Sequence, residues 1–337
     1  MTSLRTTIRG AKRARTYNAL LPGSTRANTQ QTPRPTGRRH RAGRGSLRGM
    51  ATSGWSERDA RADQGADQGA GQANPPRRVL LTNDDGPASP FFARFAEGMR
   101  RKLNWPTFVC LPDSNWSYVS KSLKPPQSNF AVDLRKDEAR VPISPASCVN
   151  LGLYELAKDV DFVVSGPNVG HNLGRSSILS SGTVGAALEA CIHGRKAVAV
   201  SFPFKGYDSW TDDDLESAVD VALEVTEFLW NQGFKEGEDP GSVFYNVNVP
   251  LWATSSARDR QKEGKLGMEW LQTSVEQGVG YTSLFKVVDE AAMEMEWSPT
   301  GERVFDSKTA KEGGDVAAVR DGHVSITKLH PTLQLAK

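Results

Sequence analysis

The chain has 337 residues, of which 38% are hydrophobic and 24% are charged, so it can fill a sizeable core. No stretch approaches the roughly 18 uninterrupted apolar residues that a membrane-spanning helix needs. The net charge of +3 is unevenly spread: residues 1–54 carry eleven Arg, one Lys and no acidic residue, whereas residues 55–337 carry 30 basic and 39 acidic residues. An acidic body argues against nucleic-acid binding, except through the basic tail.

Residues 1–76 are predicted to be a disordered basic tail and linker, because they contain few large apolar side chains that could offset the entropy of ordering. Their Arg-rich, acid-free composition is typical of an organellar transit peptide, and the alternative is a dispensable extension. The expected location is therefore the cytoplasm or an organelle. Three scattered cysteines form neither a disulfide framework nor a CxxC metal site, which favours a reducing compartment.

From Val79 onward, short apolar runs alternate with segments of helical periodicity. Strands are predicted at 79–83, 107–112, 161–166, 196–201, 242–250 and 324–329, and helices over 90–103, 144–159, 182–194 and 211–233. Such alternation predicts a doubly wound α/β fold with a mainly parallel sheet. Periodicity is weak over 251–313, so residues 251–337 are predicted to add hairpins or arms and a closing strand to a single domain at 77–337.

The first predicted strand runs directly into Asn83-Asp84-Asp85-Gly86. Ligands bind at the carboxyl ends of strands in this fold class, and two adjacent carboxylates there repel each other unless a cation lies between them. Mg²⁺ or Mn²⁺ suits such oxygen ligands, and Ser117 and Asn168 in neighbouring loops could complete the set. The alternative is a plain turn, since Asn-Asp-Gly is strong turn chemistry.

Ser181, Gly182 and Thr183 begin a predicted helix, where free backbone N–H groups and the helix dipole favour a phosphate. The alternative is ordinary N-capping by a hydroxyl side chain. Other motifs are absent or have simpler readings. "GPNVGHNLG" does not match GxGxxG, no GxxxxGK[ST] occurs, and the acidic "TDDDLE" is typical of the first turn of a helix.

The segments "VLLTNDDG", "LPDSNWSYVSKSL", "VVSGPNVGHNLG", "SSGTVGAALEA", "NVNVP" and "AAVRDGHVSITKL" together resemble the survival protein SurE family of metal-dependent 5′-nucleotidases and acid phosphatases. The resemblance covers about residues 78–331. It implies four protein ligands to the metal, with Asn172 and the Ser181–Thr183 turn facing the phosphate; the ligands are Asp84, Asp85, Ser117 and Asn168. It also implies homodimers or homotetramers that exchange C-terminal arms.

Two positions depart from the family pattern. Family members commonly have glycine after the ligand serine, where this chain has Tyr118, and they often have tyrosine where this chain has Ser180. Bulk at Tyr118 and Trp116 would reshape the substrate entrance, so the departures affect the choice of substrate more than the metal site.

The predicted function is hydrolysis of nucleoside 5′-monophosphates or other phosphomonoesters by a metal-activated water, with Asp84, Asp85 and Asn172 as catalytic residues. Direct attack by Asp84, which would give an aspartyl-phosphate, stays open. The alternatives are a metal-dependent sugar-nucleotide transferase and a non-enzymatic nucleotide- or RNA-binding adaptor with a basic tail.

Overall fold

A computed structural model describes residues 74–206, 209–235, 237–263, 267–277, 283–290, 292–298 and 310–332. The predictions of a disordered tail and a transit peptide concern residues that, apart from 74–76, lie outside these ranges. In the described part of the chain, no helix is both long and apolar enough to cross a membrane.

A nine-stranded sheet organises the described residues. Its strands are β1 (Val79–Thr82), β2 (Thr107–Pro112), β3 (Asp133–Arg135), β4 (Glu138–Val141), β5 (Phe162–Val169), β6 (Lys196–Phe202), β7 (Phe244–Asn248), β8 (Trp270–Thr273) and β11 (Val324–Leu329). They lie in the order β3-β4-β2-β1-β5-β6-β7-β11-β8. The six strands from β4 to β7 are mutually parallel. Strands β3 and β11 run antiparallel to β4 and β7, and β8 is parallel to β11. A separate antiparallel hairpin pairs β9 (Phe285–Asp289) with β10 (Glu294–Trp297).

Helices cover both faces of the sheet. They are α1 (Phe92–Arg101), α2 (Pro145–Leu151), α3 (Gly174–Ser180), α4 (Gly182–Ile192), α5 (Asp212–Phe228), α6 (Leu251–Lys262) and α7 (Asp315–Arg320). Single π-turns extend α2 to Leu156 and α5 to Gly233.

Strand β1 is fully buried and its side chains alternate between two hydrophobic cores. Val79 and Leu81 join the core formed with α1, α5 and α6, whereas Leu80 joins the core formed with α2 and α4. Alternate side chains of the strand point to opposite faces of the sheet, and both faces are covered by helices. Because every position is therefore apolar or buried, the strand appears in the sequence as a continuous hydrophobic run.

The order in which the chain adds strands to the sheet reverses beside β1. The chain goes outward through β2 to β4 on one side, then returns to β5 and continues outward to β7 on the other. The carboxyl ends of β1 and β5 therefore meet at the topological switch point, which is where ligands bind in open α/β sheets.

The predicted doubly wound α/β fold is confirmed. The boundaries of β2 and β11 match the prediction, and the predicted helix from Thr211 begins with a capping box between Thr211 and Asp214. Sequence reasoning missed β3, β4, β8 and the helices α3, α6 and α7. All three cysteines are free, and each of them is buried. The side chains of β9 and β10 are exposed, and the role of this hairpin as an oligomerisation arm stays a prediction.

The central strand supplies a direct test of the core. Leu81→Ala should lower the free energy of unfolding by about 2–5 kcal/mol, because this side chain is 0% exposed between sheet and helices. Leu134→Ala is the matched control, since Leu134 is 58% exposed on the edge strand β3, and it should change the free energy of unfolding by under about 1 kcal/mol. Urea titration of both variants checks this, and equal losses would contradict the assigned core.

Candidate active site

The residues after β1 form a tight turn that is closed by the side chain of Asn83. Its Nδ2 donates to Gly86 O at 3.1 Å, and Gly86 N donates to its Oδ1 at 3.0 Å. Gly86 has φ +75°, and a Cβ at this position would lie 2.8 Å from Ser114 O. Only glycine fits this backbone. The turn predicted from Asn-Asp-Gly is therefore present, and it presents both carboxylates at the switch point.

Asp84 is buried against the N-terminus of α4. Its Oδ1 accepts a hydrogen bond from Thr183 Oγ1 at 2.5 Å, and the carboxylate is 2% exposed. Burial raises the pKa of Asp84, and hydrogen bonds from the Thr183 hydroxyl and the backbone N–H groups of Thr183 and Gly182 partly offset this rise. A Cβ at Gly182 would lie 2.8 Å from Asp84 Cβ, so the glycine permits the close approach.

Asp85 bridges the loop that follows β2 and the carboxyl end of β5. Its Oδ2 accepts from Val169 N at 2.8 Å, and its Oδ1 accepts from Asn115 Nδ2 at 3.4 Å. Burial, and next the charge of Asp84, raise the pKa of Asp85 to about 7. Two acidic groups are thus held where neither ionises easily without a compensating positive charge.

The hydroxyl-rich loop that contains Ser117 is joined to this pair. Trp116 N donates to Asp84 O at 2.7 Å, and Ser117 N donates to Asn115 Oδ1 at 2.9 Å. Ser117 itself is half-buried. These hydrogen bonds hold the segment that contains the predicted ligand Ser117 against the turn that carries Asp84 and Asp85.

An ion pair holds the other end of the same loop on α4. Lys121 Nζ lies 2.5 Å from Glu189 Oε2, and Glu189 is 1% exposed within the helix. The second oxygen of Glu189 contacts His193 Nε2 at 2.9 Å. Because the buried carboxylate is paired with a cation, it fixes the loop without leaving an uncompensated charge.

Asn168 lies at the carboxyl end of β5 and is 8% exposed. The register between β5 and β6 shifts between Ser165 and Asn168, over a Gly166 with φ +118° whose Cβ would lie 2.1 Å from Val200 O. The irregularity turns the end of the strand, and the adjacent Val169 N contacts Asp85.

Asn172 is held by three side chains from neighbouring strands. Its N donates to Asn248 Oδ1 at 2.9 Å, and its carbonyl oxygen accepts from Asn246 Nδ2 at 2.8 Å and from Asn248 Nδ2 at 3.2 Å. Its own Nδ2 donates to Ser201 Oγ at 2.8 Å. Sequence reasoning missed Asn246 and Asn248, although polar residues at alternate positions of a predicted buried strand are a signal for them.

Of the sequence-predicted residues, Thr183 contacts Asp84 directly, and the chain neighbours of Ser117 and Asn168 contact the Asp84–Asp85 pair. The hydrogen bonds of Asn172 described above join it to β6 and β7, and the assigned roles of all these residues stay predictions. Ser181 is the N-cap of α4, since its side-chain oxygen accepts a hydrogen bond from Val184 N at 3.0 Å. This is the N-capping alternative given above for the helix start. The hydroxyl of Thr183 is directed at Asp84, so this helix end faces the carboxylate.

The donor chemistry around the pair fits a hard divalent cation. In the described residues there is no group of three or more His, Cys, Asp and Glu side chains that could hold a metal. The acidic groups at the switch point are the buried Asp84 and the half-buried Asp85, with the hydroxyl oxygen of Ser117 in the adjoining loop and the amide oxygen of Asn168 at the end of β5. An all-oxygen set of this kind suits Mg²⁺ or Mn²⁺, which keep several waters, and does not suit a structural zinc site.

Comparison with known proteins agrees with this geometry. The model of the family "Survival protein SurE" matches residues 79–276. A 5′-nucleotidase SurE from Syntrophotalea carbinolica is 32% identical over 75% of this chain and 90% of its own length. One from Archaeoglobus fulgidus is 31% identical over the same shares.

A solved structure shows the same relationship. The crystal structure of the SurE protein from Aquifex aeolicus aligns with a TM-score of 0.58 at 27% identity, covering 76% of this chain and 94% of the other. The family match, the identities and the shared fold lead to one conclusion: this chain belongs to the SurE family.

Proposed function

We propose that this protein is a phosphomonoesterase that uses a divalent cation, Mg²⁺ or Mn²⁺, to hydrolyse nucleoside 5′-monophosphates. The observation that carries the proposal is the adjacent pair Asp84–Asp85 at the switch point, where Asp84 is buried against Thr183 and the half-buried Asp85 contacts Val169 N. Loss of hydration raises the pKa of both carboxyl groups. The relatives named 5′-nucleotidase SurE support the substrate class.

We assign the residues of the site the following roles. Asp84 and Asp85 would hold the cation, together with the side-chain oxygens of Ser117 and Asn168. A bound cation of this kind polarises a phosphate oxygen and lowers the pKa of water. Asn172 and the Ser181–Gly182–Thr183 turn lie toward the phosphate, where amide and helix-end N–H groups stabilise charge on its equatorial oxygens.

Attack by water is favoured over attack by Asp84 itself. The Asp84 carboxylate is 2% exposed and accepts a hydrogen bond from Thr183, so phosphorus has little room to approach it. In the proposed step the water oxygen bonds to phosphorus while the bond to the leaving nucleoside oxygen breaks. The products are the nucleoside and inorganic phosphate.

The experiment that tests this function is phosphate release by the full-length protein from nucleoside 5′- and 3′-monophosphates, with Mn²⁺ or Mg²⁺ and again with EDTA. We expect cation-dependent release that is faster from the 5′-monophosphates. A glycoside product would favour the transferase alternative. Absence of any product, with nucleotide binding that requires residues 1–76, would favour the adaptor.

Asp84→Asn should lower kcat by at least about a hundredfold, because the amide cannot supply the negative charge that holds the cation. Its thermal unfolding temperature should not fall, since a buried charge is removed while the shape is kept. Asp137→Asn, at an exposed turn between β3 and β4, is the control and should remain fully active. A cation-responsive, active Asp84→Asn protein would disprove the assignment.

The carboxyl of Asp85 should make stability depend on pH when the cation is removed. Its pKa is about 7 in the folded chain against an ordinary 3.8, so the native state binds a proton that the unfolded state releases over this window. The bound proton stabilises the native state, so the free energy of unfolding decreases as pH rises from about 4 to about 7 and the proton is lost.

In EDTA, Asp85→Asn should accordingly gain thermal stability relative to the parent protein between pH 4.5 and pH 7.5, by on the order of 5 °C. Scanning calorimetry at several pH values measures this difference. A difference that stays constant with pH, as expected of the Asp137→Asn control, would show that Asp85 ionises normally.

A further inference from the structure

Tyr118 lies in the Ser117 loop between two backbone hydrogen bonds that both reach the candidate site. On one side Trp116 N donates to Asp84 O at 2.7 Å, and on the other Ser120 N donates to Ser180 O at 2.8 Å. The second contact is one residue before the cap of α4. The backbone of Tyr118 is therefore fixed beside the carboxylate pair and the helix end.

The backbone at this position is unfavourable for a bulky residue. Tyr118 has φ +63° and Ser120 has φ +54°, both in the left-handed region. Glycine adopts this conformation without strain, and it is the residue that family members commonly have after the ligand serine. A strained conformation at a functional site points to a role for the side chain that it carries.

The ring of Tyr118 is part of an aromatic wall formed with the β9–β10 hairpin. It packs edge-to-face on Trp297 with the ring centroids 5.2 Å apart, and Trp297 packs in the same way on its cross-strand neighbour Phe285 at 5.1 Å. The three residues remain 40%, 46% and 54% exposed. Three adjoining aromatic side chains are thus left half in water beside a polar site.

A flat aromatic ligand bound at the neighbouring site could cover these rings. A nucleoside monophosphate has an anionic end for the carboxylate and helix-end site, and a planar base that extends away from it. Base stacking on aromatic side chains is favourable and tolerates different bases, since each base presents a π-face. A sugar phosphate without a base gains nothing from the wall.

We propose that Tyr118, supported by Trp297, stacks on the base of the nucleotide whose phosphate occupies the Asp84–Asp85 site. Tyr118 is then a substrate-contacting residue that gives the enzyme a preference for nucleotides over other phosphomonoesters. The inference rests on the proposed phosphatase function and assigns to this chain's own tyrosine the discrimination between substrate classes.

The test compares AMP with ribose 5-phosphate, which keeps the phosphate and the sugar and lacks the base. In Mn²⁺, Tyr118→Gly should reduce the ratio of kcat/KM for AMP to kcat/KM for ribose 5-phosphate by about tenfold, through KM for AMP. Glycine relieves the backbone strain, so folding should not suffer. Tyr118→Phe keeps the ring and should keep the ratio.

Leu134→Ala is the control for loss of an exposed apolar side chain, since Leu134 is 58% exposed on the edge strand β3, and it should leave the ratio unchanged. If Tyr118→Gly slows both substrates equally, the residue only supports the hairpin and the inference is wrong. If the parent protein is active on neither substrate, the proposed function fails and the inference fails with it.

Discussion

Repulsion between two adjacent carboxylates, one buried and one half-buried, is the constraint around which this structure is arranged. Asp84 and Asp85 are neighbours in the chain and follow a strand with no exposed residue, so both lose hydration when the sheet forms. Burial raises the pKa of each, and the charge of Asp84 adds to the effect on Asp85. A folded chain tolerates such a pair when protons or a cation compensate it, and a divalent cation does so while both groups stay ionised.

The scaffold distributes the support of this pair over several elements. Asp84 is held by α4, Asp85 by the end of β5, and the Ser117 loop by backbone contacts at one end and the Lys121–Glu189 ion pair at the other. Asn246 and Asn248 on β7 hold the loop of Asn172 through its backbone. The residues with roles in the proposed function thus lie on, or are joined to, strands and helices, an arrangement that would limit their reorganisation during the proposed reaction.

The parts of the fold that sequence predicts are those with a strong local signal. β1 is a continuous apolar run that ends in turn chemistry, and α5 has an apolar face and a capping box. β3 has only exposed residues, so no alternation marks it, and α3 begins with glycine and polar residues. These elements depend on tertiary contacts that a local pattern does not contain.

The same limit applies to the site. The carboxylate pair and its neighbouring loops follow from the rule that strand ends meet at a switch point. The hydrogen bonds between Asn172 and Asn248 join residues 76 positions apart, and the packing of Tyr118 on Trp297 joins the Ser117 loop to the hairpin. The alternating asparagines of β7 mark that strand as unusual, but neither pairing follows from a local sequence pattern, because each joins segments that are distant in the chain.

The central claim is that the Asp84–Asp85 pair holds one divalent cation. Titration calorimetry of the chelator-treated, full-length protein with Mn²⁺ at pH 7.5 tests it most directly, with the Asp84→Asn, Asp85→Asn double variant measured in parallel. We expect one Mn²⁺ ion bound per chain in the parent protein and none in the double variant. Equal binding by both proteins, or no binding by the parent, would contradict it.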